Sequence, residues 1–407
     1  MTVLYISQNG VTDHIGRSQV APYVLGLARQ GFRIHVLSAE KPGQDALIAQ
    51  YQQLFDAAGI CWTRVHYRNK PSVVGPAWTQ ALMQRAAHRL VKTGGIRLIH
   101  CRSFPPALIA YRLKQALGVK YIFDFRDFYA DGGMRKTRGL AWLIYRRFKQ
   151  LEAPMIQNAD KVVCLTERAK EVLSQWYLKG VTNAARRFQV IPCCADFSHF
   201  NLMRLSAADI GHGRKKAGFQ PGDFVLLYLG SLGPDYLLPQ MMALFRQVLA
   251  VKPEACFLFV SNNGKELVDS ECDAQDVPRD RIRFVSADRN EVPSLIALAD
   301  LSVVFIQADI SKVGCSPTKL AELFACNVPV IANTGVGDLD TIINLHKNGS
   351  VIVKDFSDDT LRGAIEQVIE FKKTGAANIR ENNREFALEE GVARYATVYR
   401  ELLKQPA

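Results

Sequence analysis

A chain of 407 residues, 48% hydrophobic and 22% charged, has room for two ordinary domains; its composition is that of a soluble globular protein and excludes a low-complexity chain. The formal net charge of +12 suits an anionic substrate, a nucleic acid or an anionic membrane surface, and composition does not choose among them. Nine cysteines without paired spacing argue for reduced thiols in a cytoplasmic protein and against a zinc site. The opening Met1–Ser7 run is too short for a signal peptide, and no run of about 18 apolar residues offers a membrane span.

The first elements read as a βαβ unit: a strand at Val3–Ile6, a helix from Gln19 to Gln30 ending at Gly31, and a strand at Phe32–Leu37. The loop between strand and helix carries Gly10 and Gly16 but lacks the Gly-x-Gly-x-x-Gly fingerprint of dinucleotide binding. It reads equally as a plain surface loop. A helix at Thr79–Lys92, a strand at Leu98–His100, a helix at Ala107–Leu117 and a strand at Tyr121–Phe125 continue the alternation. This predicts a doubly wound sheet, whose ligands gather at the carboxyl ends of its strands. Two such ends carry polar residues: His100, Arg102 and Ser103 at one, Asp124, Arg126 and Asp127 at the other. A paired Asp and Arg there suits either a functional site or a structural ion pair.

Between Gly133 and Pro154, Leu140, Ile144, Phe148, Leu151 and Met155 keep helical spacing and should face the core. Arg138, Trp142, Tyr145, Arg146 and Lys149 form a flanking stripe, with Arg135 and Lys136 just before it. Basic side chains beside Trp and Tyr suit an anionic bilayer surface, although a solvated helix face with an ordinary tryptophan has the same pattern. Strands follow at Lys161–Leu165 and Arg187–Pro192, and the polar, basic stretch Ser206–Lys216 reads as a linker. Strands at Phe224–Leu229, Phe257–Val260, Ile282–Val285 and Leu301–Ile306 then form a second α/β half. Gly230 and Ser231 directly follow the first of these, where free amides can face a phosphate.

The stretch from Gly314 to Ala332 carries the most chemistry. Ser316 suits an N-cap and Pro317 a first helical position, with Asn327 and Pro329 ending a short helix and Val330–Ala332 a buried strand. The amides of a helix amino end suit a phosphate; Lys319 adds charge, and Glu322 one turn deeper could accept the hydroxyls of a ribose. A surface ion pair between Lys319 and Glu322 is the plainer reading. A helix at Glu385–Lys404 ends the chain.

This stretch resembles the donor-binding helix of family 4 glycosyltransferases with the GT-B fold. Ile191-Pro192 through Asp196 to Phe200 resembles their interdomain connection. Gly230-Ser231-Leu232-Gly233 with Tyr236, and Gly335-Val336-Gly337-Asp338, resemble loops of a polysaccharide-assembly subgroup. Phe123–Asp131 is similar to that subgroup's Asp-x-Arg-Gly segment, with Asp127 in place of the glycine. The chain departs from the wider family at Gly314, where a glutamate is usual, and at Ser231 and Tyr236, where basic residues serve the diphosphate.

The resemblance implies an α/β protein of two Rossmann-like doubly wound domains facing a cleft: 1–192 on the acceptor side, 193–384 binding the nucleotide-sugar, and a helix over 385–407 crossing back. It implies a retaining, metal-independent glycosyltransferase without a cofactor, in which no Asp-x-Asp motif is expected. The donor is expected to be a UDP-sugar, and the acceptor a glycan or lipid-linked molecule of bacterial surface polysaccharide. Donor contacts fall to Gly16, Gly230, Ser231, Lys312, Ser316, Pro317, Thr318, Lys319 and Glu322; the catalytic candidates are Lys319 and Glu322 among these, with Arg102, Asp124 and Arg126 on the acceptor side. No nucleic-acid partner is expected, and the enzyme should work in the cytoplasm, peripheral on the inner membrane face. Two alternatives are a UDP-sugar 2-epimerase on the same fold and a non-catalytic nucleotide-sugar-binding protein.

Overall fold

A computed structural model describes residues 2–71, 74–131, 139–182, 184–346, 349–374 and 378–404. The chain divides into two compact units, Met1–Cys194 with Leu388–Ala407, and Ala195–Ala387. In the first, seven strands form one sheet: β1 Thr2–Ser7, β2 Arg33–Glu40, β3 Cys61–His66, β4 Ile96–Arg102, β5 Lys120–Phe125, β6 Lys161–Cys164 and β7 Phe188–Val190. Their order is β3-β2-β1-β4-β5-β6-β7 and every pairing is parallel. Strands buried on both faces need near-continuous apolar runs, which β1 and β5 supply. The register sets Ser7 beside Arg102 and Arg102 beside Asp124, one polar row at the carboxyl ends next to the β1/β4 reversal.

The second unit repeats the design with six parallel strands: β8 Val225–Leu229, β9 Cys256–Val260, β10 Ile282–Val285, β11 Leu301–Val304, β12 Val330–Asn333 and β13 Val351–Val353. The order β10-β9-β8-β11-β12-β13 puts the reversal between β8 and β11. Alternate residues of β8 feed separate cores, Leu227 and Leu229 on one face of the sheet and Leu226 and Tyr228 on the other. The loops leaving β8 and β11 carry Gly230–Tyr236 and Gln307–Pro317, so they flank the crevice where such sheets bind ligands.

Several elements differ from the sequence reading. The helix expected at Gln19–Gln30 is two helices, His14–Gln19 and Ala21–Arg29. Pro22 explains the break, because its ring has no N–H to continue the ladder and clashes with the carbonyl four residues back. The expected linker Ser206–Lys216 is a helix, Ala207–Ala217, opened by a capping box between Ser206 and Asp209. Pro317 is the N-cap of the helix Thr318–Ala325, with extended ψ of 120°, so Ser316 lies one residue outside. That helix ends as expected. Asn327 has a φ of 60°, its N–H reaches the Phe324 carbonyl at 3.0 Å, and the Val328 N–H reaches that of Leu323 at 3.0 Å, a Schellman closure. The last helix runs Leu388–Lys404 after a 3-10 turn at Arg384–Phe386. Its Val392, Tyr395, Ala396, Tyr399 and Leu402 complete the core of the first unit.

Candidate active site

The helix Thr318–Ala325 buries Leu320, Ala321, Leu323 and Phe324 against the second unit's core, which leaves Lys319 and Glu322 on its remaining face. The Lys319 side chain is threaded between two aromatic rings. Its Nζ lies 4.3 Å from the ring centroids of both Tyr228 and Tyr236 and 3.3 Å from the Tyr228 hydroxyl. That hydroxyl donates in turn to the Ser231 carbonyl at 2.7 Å. Gly230 is needed beneath the ammonium on two grounds. Its φ is 115°, and a Cβ there would stand 3.0 Å from Lys319 Nζ. Burial pushes the Lys319 ammonium down to about 7, with the Glu322 carboxylate pulling the other way.

Glu322 is 14% exposed, and its Oε1 lies 3.8 Å from the Arg289 guanidinium. Burial pushes its carboxyl up to about 7, opposed first by Arg289 and then by Lys319. Arg289 was not legible as a site residue. It follows β10, stacks its guanidinium on Phe200 at 5.3 Å, and places its carbonyl 3.1 Å from His199 Nε2. Lys312 sits in the 3-10 turn Ile310–Gly314, which Asp309 caps by accepting from the Ser311 and Lys312 amides. Its ammonium pairs with Asp235 at 2.9 Å and its carbonyl accepts from the Gly337 amide at 2.9 Å. Ser316, Pro317 and Thr318 are half-buried where this turn runs into the helix. An Asp-x-Asp triplet does occur, at Asp338-Leu339-Asp340. The Asp340 carboxylate accepts from Thr334 Oγ1 at 2.5 Å and the Gly335 amide at 3.0 Å, and so holds the loop after β12.

In the first unit, Arg102, Asp124 and Arg126 form one buried cluster. Asp124 lies 3.4 Å from Arg126 Nη1, 3.4 Å from His100 Nε2 and 3.9 Å from Arg102 Nη1. Burial works to raise its carboxyl, yet the Arg126 guanidinium and the His100 hydrogen bond hold it well below the usual carboxylate range. Arg126 also reaches Gln19 Oε1, Cys193 Sγ and the Tyr395 hydroxyl, and His100 Nδ1 lies 2.7 Å from the Tyr399 hydroxyl. Asp124 and Arg126 are therefore partnered inside the unit, and they tie the last helix to the sheet. Arg102 has two buried nitrogens, Nε and Nη1, without a hydrogen-bond acceptor among the described residues, and Arg126 has one, Nε. Gly16 belongs to the helix His14–Gln19 rather than to an open loop. A Cβ on it would stand 1.9 Å from the Gly10 carbonyl oxygen, so packing alone accounts for the glycine.

The basic stripe is narrower than its spacing suggested. Arg135, Lys136 and Arg138 lie outside the described residues. Lys149 turns inward, pairing with Asp131 at 3.0 Å and Glu152 at 2.6 Å between the rings of Trp176 and Tyr177. Tyr145 donates to Asp131 at 3.3 Å. Trp142, 42% exposed, and Leu143, 56% exposed, stay at the surface beside Arg146 and Arg147, with Arg146 stacked on Trp142 at 4.8 Å. Among the described residues, no helix is long and apolar enough to cross a membrane.

Two parallel-sheet units, the second with a lysine and a glutamate on one helix beside its strand-order reversal, define a doubly wound α/β protein, and comparison gives the class. Residues 21–199 match the family description Glycosyltransferase Family 4, and residues 209–386 match Glycosyl transferases group 1. The two matches together span most of the chain, which belongs to the GT-B glycosyltransferases and is an enzyme of that class. A sequence comparison with curated proteins finds no match. Among solved structures, a glycosyltransferase from Rickettsia africae is similar at a TM-score of 0.71 and 14% identity, over 100% of this chain and 99% of that one. Anabaena Alr3699/HepE, in complex with UDP and glucose, is similar at 0.70 and 15%, over 98% and 100%. WaaG, a glycosyltransferase involved in lipopolysaccharide biosynthesis, is similar at 0.60 and 14%, over 98% and 95%. At such identities the likeness speaks for the fold alone.

Proposed function

We propose that this enzyme transfers a sugar, with retention of configuration, from a UDP-sugar to a glycan or lipid-linked acceptor in surface polysaccharide assembly. The observation that carries the donor half is the half-buried Lys319, its ammonium between two tyrosine rings beside the amino end of its helix, with Glu322 one turn deeper. The first-turn amides of Thr318 and Lys319 have no intrahelical acceptor, so with the Lys319 ammonium they would hold the diphosphate. Ser316, Pro317, Gly230 and Ser231 shape the backbone around it, and Lys312 adds charge. Glu322 accepts the ribose hydroxyls. In the reaction, negative charge grows on the departing UDP as the anomeric bond breaks, and a preorganised cation and helix amides stabilise that charge more than the ground state. The donor phosphate then takes the acceptor's proton. On the acceptor side, Arg102 supplies the contact, its buried Nε and Nη1 lacking a hydrogen-bond acceptor among the described residues and so suiting an anionic acceptor group. Asp124 and Arg126 act through it as positioning residues.

The enzyme works in the cytoplasm, and Trp142, Leu143, Arg146 and Arg147 dock it on the inner face of the membrane. Arg146→Glu with Arg147→Glu should weaken salt-sensitive binding to anionic vesicles, each basic residue near the headgroups being worth about 1 kcal/mol. Lys149 is left out of that test because its charge is paired internally. Incubation with a panel of radiolabelled UDP-sugars and glycan or lipid-linked acceptors tests the chemistry. Release of UDP with label on the acceptor is the expected result, and inversion at the labelled carbon would overturn retention.

A further inference from the structure

Lys319 is held in an unusual way for a half-buried cation. No carboxylate lies within 4 Å of its Nζ among the described residues, and its nearest companions are the Tyr228 and Tyr236 rings. The charged and titratable groups facing it are few. Glu322 lies on its own helix, Cys315 at the end of the preceding turn, and Tyr228 and Tyr236 belong to β8 and the loop after it. Glu322 is turned to Arg289, and Asp235 beside Tyr236 is paired with Lys312.

Resting on the donor-site reading above, we propose that Tyr228 and Tyr236 are positioning residues that hold Lys319 where a carboxylate would ordinarily hold it. The bound diphosphate then becomes the missing counter-ion, and its arrival draws a proton from solvent onto the lysine. Packing between the two rings orients the side chain in either protonation state, and the attraction of a ring face for the ammonium, about 0.5–2 kcal/mol, is less than the hydration it displaces and does not by itself secure the charge. An anion supplies what the rings do not. The lowered proton affinity of Lys319 agrees with this arrangement.

Titration calorimetry of the intact protein with UDP at pH 8, in two buffers of different ionisation heat, counts the protons exchanged. At that pH the terminal phosphate is fully ionised, its second pKa being about 6, and Glu322 is mostly ionised in the free protein. Uptake should therefore approach one proton per UDP bound. Tyr236→Phe keeps the ring and should keep both affinity and proton count. Tyr236→Leu should weaken UDP about tenfold and lower the count, with thermal unfolding recorded alongside to separate a folding defect. UDP bound with no proton uptake would overturn the coupling and leave the donor site standing. A Tyr236→Leu protein matching the wild type in affinity and proton count would remove the positioning role. Failure of the wild type to bind UDP would overturn the donor reading and this inference together.

Discussion

Lys319 and Glu322 share one helix face, but their substitutions should separate in the kinetics. Glu322→Gln removes a charged acceptor, worth about 1.5–3 kcal/mol, so UDP binding should weaken roughly 10- to 150-fold by calorimetry while the fold survives. Wild-type affinity in that variant would make Glu322 a packing residue. Lys319→Ala should lower kcat more than it raises the Kd for UDP, since the charge it meets grows in the transition state. A raised Kd with unchanged kcat would assign it to ground-state binding. The lysine also carries a stability cost with a definite sign. Its proton affinity falls from 10.5 in a free chain to about 7 here, so charging it opposes folding. That cost is absent above pH 10.5, grows as pH falls, and is complete by pH 7. Lys319→Met should accordingly raise Tm by several degrees at pH 7 while abolishing transfer, and the gain should shrink toward pH 10. An unchanged Tm at pH 7 would mean that water reaches the ammonium.

At the level of single elements, Gly16→Ala offers the cleanest test of packing. Alanine ordinarily favours a helix over glycine by about 1 kcal/mol, but here the new methyl would press on the Gly10 carbonyl. We expect a net loss of about 1–3 kcal/mol, read as a lower urea midpoint with an unchanged slope. A stabilised variant would show that the loop yields freely. The elements also show where a sequence can be read. Most strands and the helix Thr318–Ala325 were legible because apolar runs, Asn327 and Pro329 act locally, whereas β3, a half-exposed edge strand, and the three-residue β13 were not read. The break at Pro22 and the capping box Ser206–Asp209 were written in the chain too, but a polar, basic composition disguised the second as a linker. The companions of Lys319 were not legible. Tyr228 lies 91 residues away, and Arg289 meets Glu322 only because β10 and the helix share one sheet's edge loops. Likewise, spacing could set Lys149 on a surface stripe, yet only folding brings Asp131 and Glu152 to claim it.

For the molecule as a whole, the first unit is discontinuous: its sheet comes from Met1–Cys194 and part of its core from Leu388–Lys404. A chain ending at Ala387 would leave His100 without Tyr399, Arg126 without Tyr395, and the apolar seam along Tyr23, Val24 and Leu27 uncovered. Such a protein should lose the first unit's protease resistance while Ala195–Ala387 keeps its own, and equal resistance of both would show the last helix to be dispensable. The same layout sets an order of events at the ribosome. Residues up to Cys194 emerge before Ala195–Ala387 but lack their final helix until all of that stretch has been made, roughly 10–40 s at about 5–20 residues per second. The second unit can therefore fold before the first is finished. During that interval the seam along Tyr23, Val24 and Leu27 lacks its covering helix, so a segment made before the second unit is completed after it.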